Sequence, residues 1–234
     1  MDTFRALVVD KEGDGTKVGI QEWTADKLME GEVTIRVEYS SINYKDGLAT
    51  RINGGVARTY PLILGIDMAG EVVDSSDPRH KPGEKVIAHG YDIGVAHHGG
   101  LAEMARVPGQ WVVPLPAGMT TRQAMALGTA GFTAGMSVQA LQNMGLQKED
   151  GPVLVTGASG GVGSTSIAIL AAWGYEVAAS TGSADAHDFL RSLGASEIVD
   201  RAETTAESNR PLERARWAAG VETVGGASFA YLLR

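Results

Sequence analysis

Val153-Leu154-Val155-Thr156-Gly157-Ala158-Ser159-Gly160-Gly161-Val162-Gly163-Ser164 is the stretch on which the fold turns. Val153 to Thr156 reads as a compact apolar strand, Gly157 to Ser164 as a glycine loop, and Gly163 to Trp173 as an apolar helix. Ala158, Gly160 and Gly163 have the spacing of the dinucleotide fingerprint. In that pattern the first small residue makes the tight turn, and the second lets the backbone approach a pyrophosphate. The third lets the helix pack against the strand. The N–H groups and dipole at the start of that helix favour the phosphates. A glycine motif alone can be a plain turn; a strand before it and a helix after it make it a phosphate loop.

Toward the C-terminus the same grammar repeats. Glu176 to Ser180 reads as a second strand, Ala184 to Leu193 as a helix, and Glu197 to Val199 as a third short strand. Leu212 to Ala219 reads as a further helix, Val221 to Val224 as a fourth strand, and Phe229 to Leu233 as the start of another helix. Strand–helix alternation with short joints implies a parallel sheet of the α/β class. The second strand ends Ser180-Thr181-Gly182-Ser183, with no acid before Asp185. A site for NAD usually carries Asp or Glu there for the ribose hydroxyls. Hydroxyls and N–H groups at Thr181, Gly182 and Ser183, with Arg201 as a cation, suit a 2′-phosphate instead. The expected cofactor is therefore NADPH, with Arg201 otherwise an ordinary solvated charge.

Toward the N-terminus the pattern changes. Arg122 to Gln142 reads as one or two helices interrupted at Gly128 to Gly131. Before it, short alternating runs such as Val33 to Val37 and Glu71 to Val73 have the period of half-buried strands, separated by glycine-rich turns. They imply a small, irregular β-barrel with long loops. The chain has 234 residues, 44% hydrophobic and 21% charged, enough for a full core. Its net charge of −8 is dispersed, so nucleic acid is not an expected partner. No cysteine is present, which removes disulfides, thiolate chemistry and cysteine-held zinc. The N-terminus does not read as a secretory leader, and the apolar run Ser166 to Trp173 is too short to span a bilayer. A cytoplasmic protein without membrane attachment is expected.

Four segments together resemble a known family. They are Ser40-Ser41-Ile42-Asn43-Tyr44-Lys45-Asp46, Leu64-Gly65-Ile66-Asp67-Met68-Ala69-Gly70, Gly128-Thr129-Ala130-Gly131-Phe132-Thr133-Ala134, and Val155 to Ser164. The chain is similar to the medium-chain dehydrogenase/reductase superfamily, and within it to the zinc-free acrylyl-CoA reductases often labelled quinone oxidoreductases. The resemblance implies a GroES-like catalytic domain at 1–119 and a Rossmann-type NADPH-binding domain at 120–234. It also implies a homodimer. Members of the group are longer than this chain, so the Rossmann part is expected to be incomplete at its C-terminal end. By the same resemblance the metal positions of zinc-dependent relatives fall on Asn43, Ile66 and Ala130, none of them a soft-metal ligand, so no metal is expected. Tyr44 is implied at the cofactor, Ser159, Gly160, Gly161 and Val162 at the pyrophosphate, and Thr181, Gly182, Ser183 and Arg201 at the adenosine ribose phosphate. Relatives often hold Arg or Lys where Ser183 stands here.

The implied reaction adds hydride to an activated C=C bond, most simply that of acrylyl-CoA or another short enoyl-CoA. Without a metal, hydrogen-bond donors must stabilise the enolate. Tyr44 and the amide of Asn43 are the candidates, with Tyr60 as a further donor and Arg51 and Arg58 as partners for CoA phosphates. Quinone reduction by NADPH, and non-enzymatic NADPH binding, stay open as alternatives.

Overall fold

Residues 3–210 and 212–234 are described by the structure, a computed structural model, and they divide into two units, Met1–Thr129 and Ala130–Arg234. In the first, β1 (Phe4–Glu12), β2 (Gly15–Trp23) and β4 (Leu62–Ile63) form an antiparallel sheet of order β2-β1-β4. A second antiparallel sheet contains β3 (Val33–Tyr39), β5 (Asp67–Ser75), β6 (Lys85–His89), β7 (Met104–Val107) and β8 (Val112–Pro114) in the order β7-β3-β5-β6-β8. The segment just before β7 joins the two, through Leu7 N–H to the Leu101 carbonyl and Glu103 N–H to the Arg5 carbonyl. Alternation along the strands buries Val33 and Ile35 of β3 with Met68 and Val72 of β5 and Val86 of β6. A short helix, α1 (Tyr44–Ala49), follows β3; its six residues are too few to show helical periodicity in the sequence.

The helix α2 (Thr121–Asn143) starts at a capping box formed by Thr120 and Gln123. Gln123 N–H donates to Thr120 Oγ1 at 3.2 Å, and Thr120 N–H to Gln123 Oε1 at 2.9 Å. Gly128, at φ +52, breaks the helical path inside it, as the glycine interruption predicts. The first turns of α2 pack Ala124 and Met125 on Ala69, and Thr121 Oγ1 donates to Glu38 at 2.7 Å. These contacts carry the first unit past position 119 to Thr129.

The second unit holds β9 (Val153–Val155), β10 (Val177–Thr181), β11 (Glu197–Asp200) and β12 (Ala219–Val221), all parallel, in the order β11-β10-β9-β12. Chain order within this sheet is therefore 3-2-1-4, the doubly wound Rossmann arrangement with its switch point between β9 and β12. Val153 and Val155 pack with Ile167 and Leu170 of α3 (Gly161–Ala172) and Leu190 of α4 (His187–Ser192). Leu154, on the opposite face, packs with Trp217 and with Tyr231 and Leu232 of α6 (Ala227–Leu232). The four-residue α5 (Arg201–Thr204) follows β11 directly.

The expected helix at Leu212 to Ala219 does not form. Residues 212–217 are irregular because their groups are engaged elsewhere: Glu213 N–H bonds the Arg234 carbonyl, and Ala218 N–H bonds the Pro152 carbonyl beside the β9–β12 ladder. The guanidinium of Arg216 pairs with Glu197 and Glu203 and lies over the Trp217 ring. Tertiary contacts thus override a weak helical preference. The fourth strand also ends earlier than expected, at Val221, and Glu222 to Val224 turn out of the sheet.

Candidate functional site

In the first unit the segment after β3 is tied down by two buried carboxylates. Asp67, the first residue of β5, is fully buried. Its Oδ1 accepts Ser41 N–H at 3.0 Å. Its Oδ2 accepts Ser41 Oγ at 2.6 Å, Asn43 Nδ2 at 3.0 Å and Thr129 N–H at 3.0 Å. Ser40 Oγ donates to the Asp67 carbonyl at 2.8 Å. Asp46, in the first turn of α1, accepts Asn43 N–H at 2.7 Å and Ile66 N–H at 3.0 Å. A carboxylate is held in a dry interior only when donors replace its water in this way. Burial pushes the Asp46 carboxyl above the ordinary aspartate range, and the Asp67 charge adds to the rise; the N–H groups of Asn43 and Ile66 oppose it. Gly128 closes the cluster: a Cβ there would lie 2.5 Å from Ser41 Oγ and 3.0 Å from Asp67 Oδ2.

This network ties the Asn43 side chain into the turn. Its amide nitrogen lies 3.0 Å from Asp67 Oδ2 and 3.2 Å from Ser41 Oγ, two acceptors that are themselves 2.6 Å apart, so one N–H is directed at that pair. Asn43 thereby frames the turn. Tyr44 is different. It begins α1 with its side chain 86% exposed, and its hydroxyl has no hydrogen-bond partner among the described residues. Of the other candidate partners, Tyr60 packs into an apolar cluster with Lys11 over its ring, and Arg58 faces Asp92 at 3.6 Å.

The positions that would carry a metal hold different chemistry. Asn43 is committed to Asp67, Ile66 is buried in an apolar cluster, and Ala130 offers only a methyl group. No group of three His, Asp or Glu side chains among the described residues is placed to hold a metal ion. His97 and His98 are structural. The two ring nitrogens of His97 lie against the Glu30 and His98 carbonyls at 3.0 and 3.2 Å. His98 Nδ1 accepts Ile63 N–H at 3.3 Å, with the Trp23 ring edge-on at 5.6 Å.

In the second unit the glycine loop joins β9 to α3 at the switch point. The left-handed residue of the turn is Gly157, at φ +54, rather than Ala158; a Cβ on Gly157 would collide with Thr223 Oγ1. Ala158 is instead buried, with its N–H bonded to the Ser180 carbonyl at 3.1 Å. Gly163 does what the fingerprint requires: a Cβ would fall 2.8 Å from Ala158 Cα and 3.0 Å from its carbonyl oxygen. Ser159, Gly160 and Gly161 are exposed at the start of α3, and Val162 is partly so. At the end of β10, Gly182 lies under the Arg201 guanidinium, where a Cβ would sit 2.7 Å from Cζ and 2.8 Å from Nη2. Ser183 is exposed beside it, and Thr181 Oγ1 accepts Ser183 N–H at 3.1 Å. The Arg201 guanidinium forms no ion pair among the described residues.

Sequence reasoning missed Glu222, because it placed that residue inside a strand. Its carboxylate accepts Ser228 Oγ at 2.6 Å, Thr156 Oγ1 at 3.0 Å, and the N–H groups of Val224 and Gly225. Burial works to raise this carboxyl, but those donors outweigh it and hold it below the ordinary glutamate range. With the Thr223–Thr156 bonds at 3.1 and 2.9 Å, Glu222 fastens the end of β12 to the end of β9 beside the glycine loop.

Residues 29–117 match the alcohol dehydrogenase GroES-like domain. The acrylyl-CoA reductase AcuI of Ruegeria pomeroyi is 53% identical over 232 residues, covering 98% of this chain and 70% of that protein. YhfP of Bacillus subtilis, named as a candidate quinone oxidoreductase, is 48% identical with 98% and 70% covered. Its crystal structure with NAD bound has a TM-score of 0.95 over 99% of this chain and 70% of that one. The yhdH oxidoreductase of Salmonella enterica, in complex with NADP, has a TM-score of 0.93 at 48% identity over 96% of this chain and 69% of that one. Likeness at this level across both units, with a GroES-like segment ahead of a 3-2-1-4 sheet, means that the chain belongs to the medium-chain dehydrogenase/reductase superfamily, in its zinc-free acrylyl-CoA reductase and quinone oxidoreductase group.

Proposed function

We propose that the chain is a zinc-independent, NADPH-dependent reductase that adds hydride to the C=C bond of acrylyl-CoA or a similarly short enoyl-CoA. The observation that carries the cofactor assignment is the uncommitted Arg201 guanidinium over Gly182, at a strand end that offers no carboxylate. A 2′-phosphate fits a cation there, and the ribose hydroxyls of NAD lack their usual acid. Similar proteins have been crystallised with NADP and with NAD; the charge at this strand end favours the phosphorylated form. Ser159, Gly160, Gly161 and Val162 would hold the pyrophosphate at the exposed N-terminus of the twelve-residue α3, where side chains are smallest. Thr181 and Ser183 would face the ribose phosphate.

When bound, NADPH supplies a hydride to the β-carbon of the acceptor. The π electrons of the double bond then move to the thioester oxygen, and a proton from water completes the α-carbon. Tyr44 has the free hydroxyl that can donate to that oxygen as negative charge develops on it. Asn43 holds the turn from which Tyr44 projects. The 53% identity to an acrylyl-CoA reductase supports the enoyl thioester as acceptor, while the name of the Bacillus relative favours a quinone as the second reading. By resemblance, the protein acts as a cytoplasmic homodimer.

NADPH oxidation measured with acrylyl-CoA, with a quinone and with no acceptor tests the assignment. Turnover with acrylyl-CoA well above the other two is expected. Turnover with the quinone alone would move the chain to the second reading. Tight NADPH binding without any turnover would make it a binding protein.

A further inference from the structure

We propose that Asp67 is a positioning residue for the reaction: it fixes the turn that presents Tyr44, and acts only through it. This rests on the assignment of Tyr44 as the enolate donor. Tyr44 itself touches little, being 86% exposed, so its placement comes from the backbone on either side of it. Ahead of it that backbone is held at Ser41 and Asn43, whose side chains both end on Asp67 Oδ2, at 2.6 and 3.0 Å. Ser41 N–H adds a third bond, to Oδ1 at 3.0 Å. Behind it, Asp46 returns a bond to Asn43 N–H at 2.7 Å and anchors α1 to Ile66, the neighbour of Asp67. Asp67 also accepts Thr129 N–H at 3.0 Å, so one fully buried carboxylate joins three chain segments.

The distribution of donors explains why a carboxylate is needed here. Oδ2 alone receives three hydrogens and Oδ1 a fourth. An amide in its place supplies only one acceptor oxygen and turns its NH2 group toward a donor, besides losing the charge that strengthens each bond. The turn then gains freedom, and a donor displaced by a fraction of an ångström loses much of its effect on a developing charge.

The test is a double-mutant cycle on the whole protein with Asp67→Asn and Tyr44→Phe, following kcat and KM for acrylyl-CoA and, separately, NADPH affinity. Asp67→Asn is expected to lower kcat by roughly tenfold or more, to leave NADPH affinity within about twofold, and to add nothing further in the Tyr44→Phe background. Ser41→Ala removes the hydroxyl that bonds Asp67 Oδ2 and Asn43 Nδ2 while leaving the carboxylate. It should give a smaller loss of the same kind, again absent when combined with Tyr44→Phe, which keeps the test available if Asp67→Asn folds poorly. Fully additive losses would overturn the role of Asp67 while leaving Tyr44 as donor. A Tyr44→Phe variant with unchanged kcat would remove the donor assignment itself, and the Asp67 proposal with it.

Discussion

The guanidinium of Arg201 lies directly over Gly182, close enough that any side chain at position 182 would occupy its place. Two residues separated along the chain, one following β10 and one opening α5, thereby place at the end of β10 a guanidinium that forms no ion pair among the described residues. Arg201→Ala is expected to weaken NADPH binding by about 1–3 kcal/mol and leave NADH binding nearly unchanged. Gly182→Ala should act in the same direction by pushing the guanidinium aside, with little loss of stability because the far end of a flexible side chain can move. Calorimetric titration with both dinucleotides checks the pair; equal losses for NADPH and NADH would separate Arg201 from the 2′-phosphate.

Tyr44→Phe isolates the hydroxyl. If it donates to the thioester oxygen, kcat at saturating NADPH should fall by roughly a hundredfold, while the KM for NADPH changes little. The reverse pattern, with kcat intact and NADPH affinity reduced, would make Tyr44 a cofactor contact only. Steady-state kinetics with NADPH and acyl-CoA varied separately distinguish the two.

Glycines 163 and 135 give opposite expectations from the same substitution. A Cβ on Gly163 meets the backbone of Gly157 and Ala158, which cannot step aside as a side chain can. Gly163→Ala should cost about 1–3 kcal/mol by overpacking, seen as a lower thermal midpoint, together with loss of NADPH binding. Gly135 lies inside α2 with open space around its Cβ position. Gly135→Ala should raise stability by about 0.5–1 kcal/mol.

The pH dependence of stability should carry the signature of His98. Burial, and then the neighbouring His97, lower its pKa below the ordinary histidine value of 6.5. The unfolded chain thus binds a proton that the folded chain resists, so this contribution is complete above about pH 6.5 and is lost as pH falls through the lower folded pKa. Protonation would also remove the acceptor that His98 Nδ1 offers to Ile63 N–H. Urea unfolding between pH 7.5 and about 5 should show stability falling with pH in the native protein and a flatter profile in His98→Gln, which cannot titrate.

What the sequence made legible was local. The β9–loop–α3 unit, the kink at Gly128 and the absent acid after β10 each depend on residues within a few positions of one another. Even there the left-handed turn fell on Gly157 instead of Ala158, because the whole loop is rich in small residues and periodicity cannot choose between adjacent ones. The Asp67 network was not legible, since its partners Ser41 and Thr129 lie 26 and 62 positions away. The irregular path at 212–217 was hidden for the same reason: Arg216 reaches Glu197 and Glu203 in space, and an isolated reading of its segment sees only a helix former. Asn43 shows the limit most clearly. Its residue type offers an amide donor, and only the fold reveals that the amide is directed at Asp67 and Ser41.

Gly128 also sets how this lineage can drift. Any side chain at that position meets Ser41 Oγ and Asp67 Oδ2, so substitutions at 128 are closed while that pair stands. Loss of either partner first would open room at 128 but strand the donors that remain. The three positions therefore form an epistatic set, expected to change together or not at all across related genes. A covarying triplet of glycine, serine and aspartate would be the trace of one buried carboxylate written into sequence history.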